Sequence, residues 1–232
     1  MGRMKPKNAN AHFITGTGTD IGKTWLVCAL LRYWREQGGV PCAYKPVLSG
    51  FVAENPAASD AGQLLTTLGR GLTMPDVNAI APWRFTAPLS PDMAAAAEGR
   101  SIDFAALVAF TRQVAGDCPS SVLIEGVGGV MAPLDHRHTV RDWIAAAKLP
   151  CVLVAGSYLG SLSHTLSALE ALRKVDAGVT AIVVNETPES TVPLAATAES
   201  LRHHVGKVPV IVLARANVAA GIAELAGLLS SR

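Results

Sequence analysis

The residues best suited to chemistry form one run, Gly16-Thr17-Gly18-Thr19-Asp20-Ile21-Gly22-Lys23-Thr24. It follows an apolar stretch and opens an amphipathic one, the context a phosphate-binding loop needs. Small residues let backbone N–H groups turn inward around phosphate oxygens, at the positive end of the helix that follows. In such a loop Gly18, Thr19, Asp20, Ile21 and Gly22 form the cradle, Lys23 reaches the β- and γ-phosphates, and the Thr24 hydroxyl sits on magnesium. The strict pattern would place its first glycine at position 17, which is Thr17. The outer glycine is Gly16, so the loop is one residue longer. An ordinary glycine-rich turn would share the glycines but would not require the Lys-Thr pair or the flanking strand and helix.

A second signal is positional. In an open parallel sheet, ligands bind beyond the carboxyl ends of the strands. The residues that follow the apolar runs are Gly16, Lys45, Glu125, Gly156 and Asn185. Each has a plain alternative: Lys45 as a solvated loop lysine, Glu125 as a helix-start carboxylate, Asn185 as a turn residue. Their placement on one edge favours a shared site.

The elements that must position these groups alternate. Short apolar runs at 12–15, 42–47, 121–124, 151–155, 180–184 and 208–213 read as strands of a sheet buried on both faces. Helical stretches are expected at 23–37, 59–68, 104–115, 140–147, 162–175, 192–204 and 218–229, with Thr139 and Asp142 as a capping pair. The pattern predicts a single α/β domain over 1–232, a doubly wound, mostly parallel sheet with helices on both faces. Residues 69–100, rich in proline, glycine and alanine, read as a long functional connection.

Composition narrows the class. With half its residues hydrophobic and 16% charged, the chain is too apolar for disorder, and a net charge of +2 without clusters argues against a nucleic-acid or membrane-surface partner. No run is long enough for a membrane span. Residues 1–10 are basic and expected to be disordered. No apolar stretch follows them as in a secretory signal, and Pro6 breaks a myristoylation pattern. A cytoplasmic location is expected. Cys28, Cys42, Cys118 and Cys151 lack metal or redox-pair spacing, and three of the four sit in apolar runs, where reduced buried thiols are expected. His136, His138, His203 and His204 complete no transition-metal cluster.

Together these motifs resemble the dethiobiotin synthetases. The extended phosphate loop is similar, as are Tyr44-Lys45-Pro46-Val47 with Ser49-Gly50, Ser59-Asp60-Ala61, and Pro88-Leu89-Ser90-Pro91. Glu125-Gly126-Val127-Gly128-Gly129, Leu159-Gly160-Ser161 and Asn185 continue the series in the family's order. The sequence departs at Ser163, where the family often has Asn, and at Asp92, where it often has His. The resemblance implies a P-loop NTPase-like fold and an ATP- and Mg2+-dependent ligase of biotin biosynthesis. That enzyme carboxylates 7,8-diaminononanoate with CO2 and closes the ureido ring. It further implies that Lys23, Lys45 and Ser49 are catalytic, and that Thr24, Asp60 and Glu125 hold the metal. Asn185 and the 206–209 turn with Pro209 would bind adenine. Gly160, Ser161, Leu162 and Ser163, from the other subunit of a homodimer, would bind the substrate carboxylate.

Two other classes fit less well. A partition-type switch ATPase would carry an additional lysine where Gly18 stands and would often present a basic patch or amphipathic tail. A cobyrinate-type amidoligase would need a glutaminase domain, for which no room follows residue 213.

Overall fold

The computed structural model describes residues 10–118 and 120–230. The expected disorder at the amino terminus therefore falls largely outside the described residues. Strand β1 (Ala11–Gly16) leads through the glycine-rich loop into helix α1 (Lys23–Glu36). β2 (Cys42–Tyr44) and the short β3 (Val47–Leu48) follow, then a 3-10 turn at Pro56–Ala58 and α2 (Asp60–Thr67). The middle of the chain supplies α3 (Met74–Ile80), β4 (Trp83–Arg84), α4 (Pro91–Ala97) and α5 (Phe104–Asp117). β5 (Val122–Glu125), α6 (Val140–Ala147), β6 (Cys151–Gly156), α7 (Ser161–Arg173), β7 (Val179–Asn185), α8 (Leu194–His204), β8 (Val210–Leu213) and α9 (Val218–Ser230) complete it.

Six strands form one parallel sheet in the order β2-β5-β1-β6-β7-β8. Alternate side chains face opposite layers, as strand geometry requires. On β1, Phe13 packs with α5–α8, while Ile14 packs with α1, α2 and α9. Both layers are apolar, so the strands are hydrophobic on both faces. In the first layer the Phe13 and Trp143 rings meet edge to face at 4.7 Å, and the Trp143 N–H donates to Thr111 Oγ1 at 2.9 Å. The expected Thr139–Asp142 cap forms: the Thr139 backbone N–H and hydroxyl both donate to Asp142 Oδ2.

Three expectations are corrected. The strand expected at 42–47 is broken by Lys45-Pro46. Its second half, β3, pairs instead with β4 in a separate two-stranded parallel sheet. Proline lacks the ladder N–H, and the chain leaves the main sheet there. The connection at 69–100 holds two short helices and β4, whose lengths give too few turns for a periodic signal. Cys42 is no free thiol: it is disulfide-bonded to Cys118, with Cα atoms 6.3 Å apart. Cys28 and Cys151 are free and buried, and burial pushes the Cys151 thiol up to about 12.

The disulfide closes a loop across a sequence separation of 76, which contains β3, α2 and both short helices. Such a crosslink restricts the unfolded chain and contributes about 2–4 kcal/mol. Cys42→Ser is expected to melt several degrees below the wild type without reductant. Dithiothreitol should lower the wild-type melting temperature towards the variant's and leave the variant unchanged. Identical melting curves for both proteins, with and without reductant, would show that the crosslink contributes nothing.

Candidate functional site

The carboxyl edge of the sheet opens into a cleft of about 1370 Å³. Its floor is the loop from β1 to α1. Asp20 adopts φ 55° and Gly22 φ 87°, so the backbone curls before the helix begins at Lys23. A Cβ on Gly22 would stand 2.6 Å from Asn185 Nδ2, and the Asn185 side-chain N–H donates to the Ile21 carbonyl at 2.7 Å. Glycine is required there both for positive φ and for that close approach. The wall beside the loop is 126–129. Its backbone lies so near that a Cβ on Gly129 would meet the Thr17 carbonyl at 3.1 Å.

Inside this frame sits a compact charged network. Lys45, 3% exposed, donates to Glu125 Oε1 at 2.7 Å and to the Gly126 carbonyl at 2.9 Å, and lies 2.9 Å from Asp60 Oδ2. The Thr24 hydroxyl donates to the same Glu125 oxygen at 2.6 Å. Lys23 turns back on its own loop, donating to the Gly18 carbonyl at 2.6 Å. β2 delivers Lys45, β5 delivers Glu125, α1 delivers Lys23 and Thr24, and Asp60 opens α2 behind the Ser59 cap. Two cations thus face two carboxylates in a low-dielectric setting, where an unpaired charge would be costly.

The titration of these groups follows. Burial and the neighbouring charge of Lys45 lower the Lys23 pKa to about 8, against the opposing pull of Glu125, Asp60 and Asp20. Burial also works against a charge on Lys45, but Glu125 and Asp60 outweigh it and leave the pKa above the usual lysine value. Asp60 shows the mirror case: burial raises its pKa, while Lys45 beside it brings the net value below the ordinary carboxylate range.

Several polar atoms in and around the cleft are buried and unpaired, including Ser49 Oγ, Glu125 Oε2, Thr17 Oγ1 and Asn185 Oδ1. Ser49, Glu125 and Thr17 line the cleft. Such atoms are rare in folded proteins and call for a partner. The arrangement offers backbone N–H groups, two lysines, hydroxyls and two carboxylates around one volume, which suits a nucleotide polyphosphate with a hard cation.

The structure thus brings Gly18, Thr19, Asp20, Gly22, Lys23, Thr24, Lys45, Ser49, Asp60 and Glu125 to one cleft. Ile21 and Asn185 lie beside it, joined by their own bond. Gly160, Ser161, Leu162 and Ser163 are at the same sheet edge, where α7 begins, but do not line this chain's cleft. Pro209 is a correction. It precedes β8 and bonds to the Ile182 N–H, placing it at the amino end of the strand, away from Asn185. The turn near Asn185 is the one after β8: the Arg215 N–H donates to Glu186 Oε2, and Glu186 N–H donates to the Leu213 carbonyl. The carboxyl-end rule applied to the last strand would have found it.

Sequence reading missed His164 and Ser167, which also line the cleft from α7, and Met131 and Ala132 opposite. Nothing in their residue types marked them. Of the histidines doubted as ligands, His138 pairs with Asp135 and stacks on Phe104, and His203 lies near Glu199. Among the described residues no group of three or more His, Cys, Asp or Glu could hold a metal, and no helix is long and apolar enough to cross a membrane.

The Lys23 titration gives a pH prediction. A bound polyphosphate favours the charged lysine, so above pH 8 binding must take up a proton. Nucleotide affinity is expected to fall as pH rises from about 7.5 to 9.5, approaching tenfold per unit above the pKa of about 8. Isothermal titration should show that fall in the wild type, and weak but pH-independent binding in Lys23→Ala. A flat wild-type profile would remove Lys23 from phosphate contact.

The profile of a family described as an AAA domain matches residues 10–216. The chain is 50% identical over 199 residues to the "ATP-dependent dethiobiotin synthetase BioD" of Acidiphilium cryptum, covering 85% of this chain and 89% of that protein. It is 45% identical over 208 residues to the protein of the same name from Methylobacterium nodulans, covering 88% and 92%. Among solved structures it resembles HypB from Helicobacter pylori with a TM-score of 0.55 at 12% identity, covering 96% of this chain and 86% of that one. It also resembles the MinC:MinD cell division complex of Aquifex aeolicus, with a TM-score of 0.52 at 11% identity, covering 92% and 85%. Those two likenesses speak for the fold alone.

Proposed function

The chain belongs to the ATP-dependent dethiobiotin synthetase family, and from that premise we propose that its cleft carries out the family's ATP-driven ring closure in biotin biosynthesis. The substrates are 7,8-diaminononanoate, CO2 and ATP, and the products dethiobiotin, ADP and phosphate. The diamine is carboxylated on one amine, the carbamate is phosphorylated by ATP, and the second amine displaces phosphate to close the ureido ring. The observation that carries the reading is the buried Lys45–Glu125 pair, joined by the partly exposed Asp60, against the phosphate loop.

Each residue has a task that its surroundings support. Lys23 exchanges its Gly18 carbonyl for phosphoryl oxygens, and Lys45 steadies the carbamate and the transferring group from the opposite side. The Ser49 hydroxyl, buried without a partner, donates to the carbamate or its phosphate. Phosphoryl transfer depends mostly on such positioning and charge neutralisation. The unpaired Glu125 Oε2, the Thr24 hydroxyl and the partly exposed Asp60 make an all-oxygen donor set that fits magnesium and leaves positions for water and phosphate. Magnesium, when bound, supplies charge neutralisation at the phosphates. Asn185 reads adenine with Oδ1, because its N–H is committed to Ile21 and leaves an acceptor for the exocyclic amine. The turn after β8 takes the place expected for Pro209.

The turn opening α7 binds the distant substrate carboxylate for the other subunit of a homodimer. What supports this is that Gly160, Ser161, Leu162 and Ser163 do not line their own chain's cleft while the preceding Leu159 is 92% exposed. The enzyme acts in the cytoplasm as one domain with small-molecule partners, without nucleic acid or membrane.

The direct test supplies the diamine, bicarbonate and Mg-ATP and detects dethiobiotin by mass. Lys23→Ala is expected to lose roughly 10²-fold or more of product formation. Product formation at the wild-type rate by that variant would refute the assignment of the loop. Shared sites are tested by complementation. Because Gly160 has φ 96°, where a side chain is strained, the second lesion is placed at exposed Ser163. Ser163→Glu should disable a site in trans and Lys23→Ala one in cis. Refolded together in equal amounts, they should regain about a quarter of wild-type activity, since half the dimers are mixed and each carries one intact site. A confirmed mixed dimer without activity would mean that each site is built from one chain.

A further inference from the structure

Ladder pairing between β6 and β7 ends at Gly156 and Asn185. Beyond it, two reciprocal bonds continue the register. The Ser157 N–H donates to Thr187 Oγ1 at 3.0 Å, and the Thr187 N–H donates to Ser157 Oγ at 3.0 Å. The Ser157 N–H also reaches the Asn185 carbonyl at 3.1 Å. Ser157 is fully buried. The approach depends on Gly156, where a Cβ would stand 2.6 Å from Thr187 Oγ1 and 2.9 Å from the Tyr158 ring.

This clasp lies between two functional segments. On the β7 side, Asn185 is two residues away and touches the phosphate loop through Ile21. On the β6 side, Tyr158 starts the turn into α7: its carbonyl accepts from the Ser161 N–H at 2.9 Å. Its hydroxyl lies 2.9 Å from Nδ1 of His164, which lines the cleft. Neither Ser157 nor Thr187 lines the cleft, so any influence on the reaction passes through these neighbours.

We infer that Ser157 and Thr187 are positioning residues, which lock the adenine-reading amide of Asn185 and the carboxylate-binding turn of α7 into one geometry. Nucleotide affinity and diamine affinity therefore share a determinant that contacts neither substrate. The inference rests on the site roles proposed above. Two part-buried side chain–backbone bonds are too few to carry the fold and enough to set the aim of a loop.

The test is steady-state kinetics on Thr187→Val, which keeps the shape and removes the acceptor, and on Ser157→Ala, which removes the other half. Each is expected to raise the KM for both ATP and the diamine about three- to tenfold, with kcat within about twofold of wild type and a near-native melting temperature. Thr187→Ser should restore both KM values. Unchanged KM values, a rise for one substrate alone, a fall in kcat without a change in KM, or failure of Thr187→Ser to rescue would each overturn the inference. Should one variant fail to fold, the other decides. Failure of the underlying site reading registers separately: the wild type would then make no dethiobiotin, or Asn185→Ala would bind ATP as the wild type does.

Discussion

The contact between Lys45 and Glu125 orders the rest of the site. Glu125 is 0% exposed and Lys45 3%, and each stands where its strand ends. A lone charge at either place would cost several kcal/mol, so β2 and β5 must end in register and Asp60 must arrive on α2 to balance the lysines. Replacing such a pair by apolar residues of like volume often costs nothing or stabilises. A buried network in this position is therefore better explained by use than by stability. Thr24 and Lys45 share one Glu125 oxygen while the other is left unpaired, so the carboxylate keeps one acceptor that the ion pair does not use.

The backbone imposes a second constraint on the same space. The phosphate loop and the 126–129 wall run close enough that Gly129 admits no larger residue without displacing Thr17. The Val130 N–H then bonds the Gly16 carbonyl at 2.9 Å, pinning the start of the loop to the wall. The cradle is thus preorganised by contacts outside the helix it opens. That suits a reaction in which the protein contributes mainly fixed dipoles and charges.

What could be seen in the sequence follows from how locally each feature is determined. The β1 loop, the main strands and the long helices were legible because apolar period and glycine placement are local properties. Lys45, Glu125 and Asn185 were found by their position after apolar runs, although each alone was ambiguous. The Cys42–Cys118 crosslink was not legible, since its partners are distant in sequence and meet only when α5 packs beside β2. Helices α3 and α4 are seven residues each, too short for periodicity to rise above their prolines. Pro209 was misplaced for a simpler reason: it stands on the wrong side of its strand, and only the direction of β8 reveals which end faces the nucleotide.

The fold itself does not select this chemistry. HypB and a chain of the MinC:MinD complex share the architecture at 11–12% identity, and a common scaffold serves unrelated reactions. The difference lies in which side chains fill the cleft. A switch ATPase of the partition kind would need a lysine where this loop has Gly18. This chain instead brings its second cation from the end of β2, where Lys45 stands against Glu125 and Asp60. That lysine reaches the cleft from a different strand than the phosphate loop does, so the two cations are held by separate elements and their spacing is set by the register of the sheet rather than by the loop. What distinguishes this cleft from others on the same scaffold therefore lies at the end of β2, three residues beyond Cys42, as much as in the phosphate loop that the sequence advertises first.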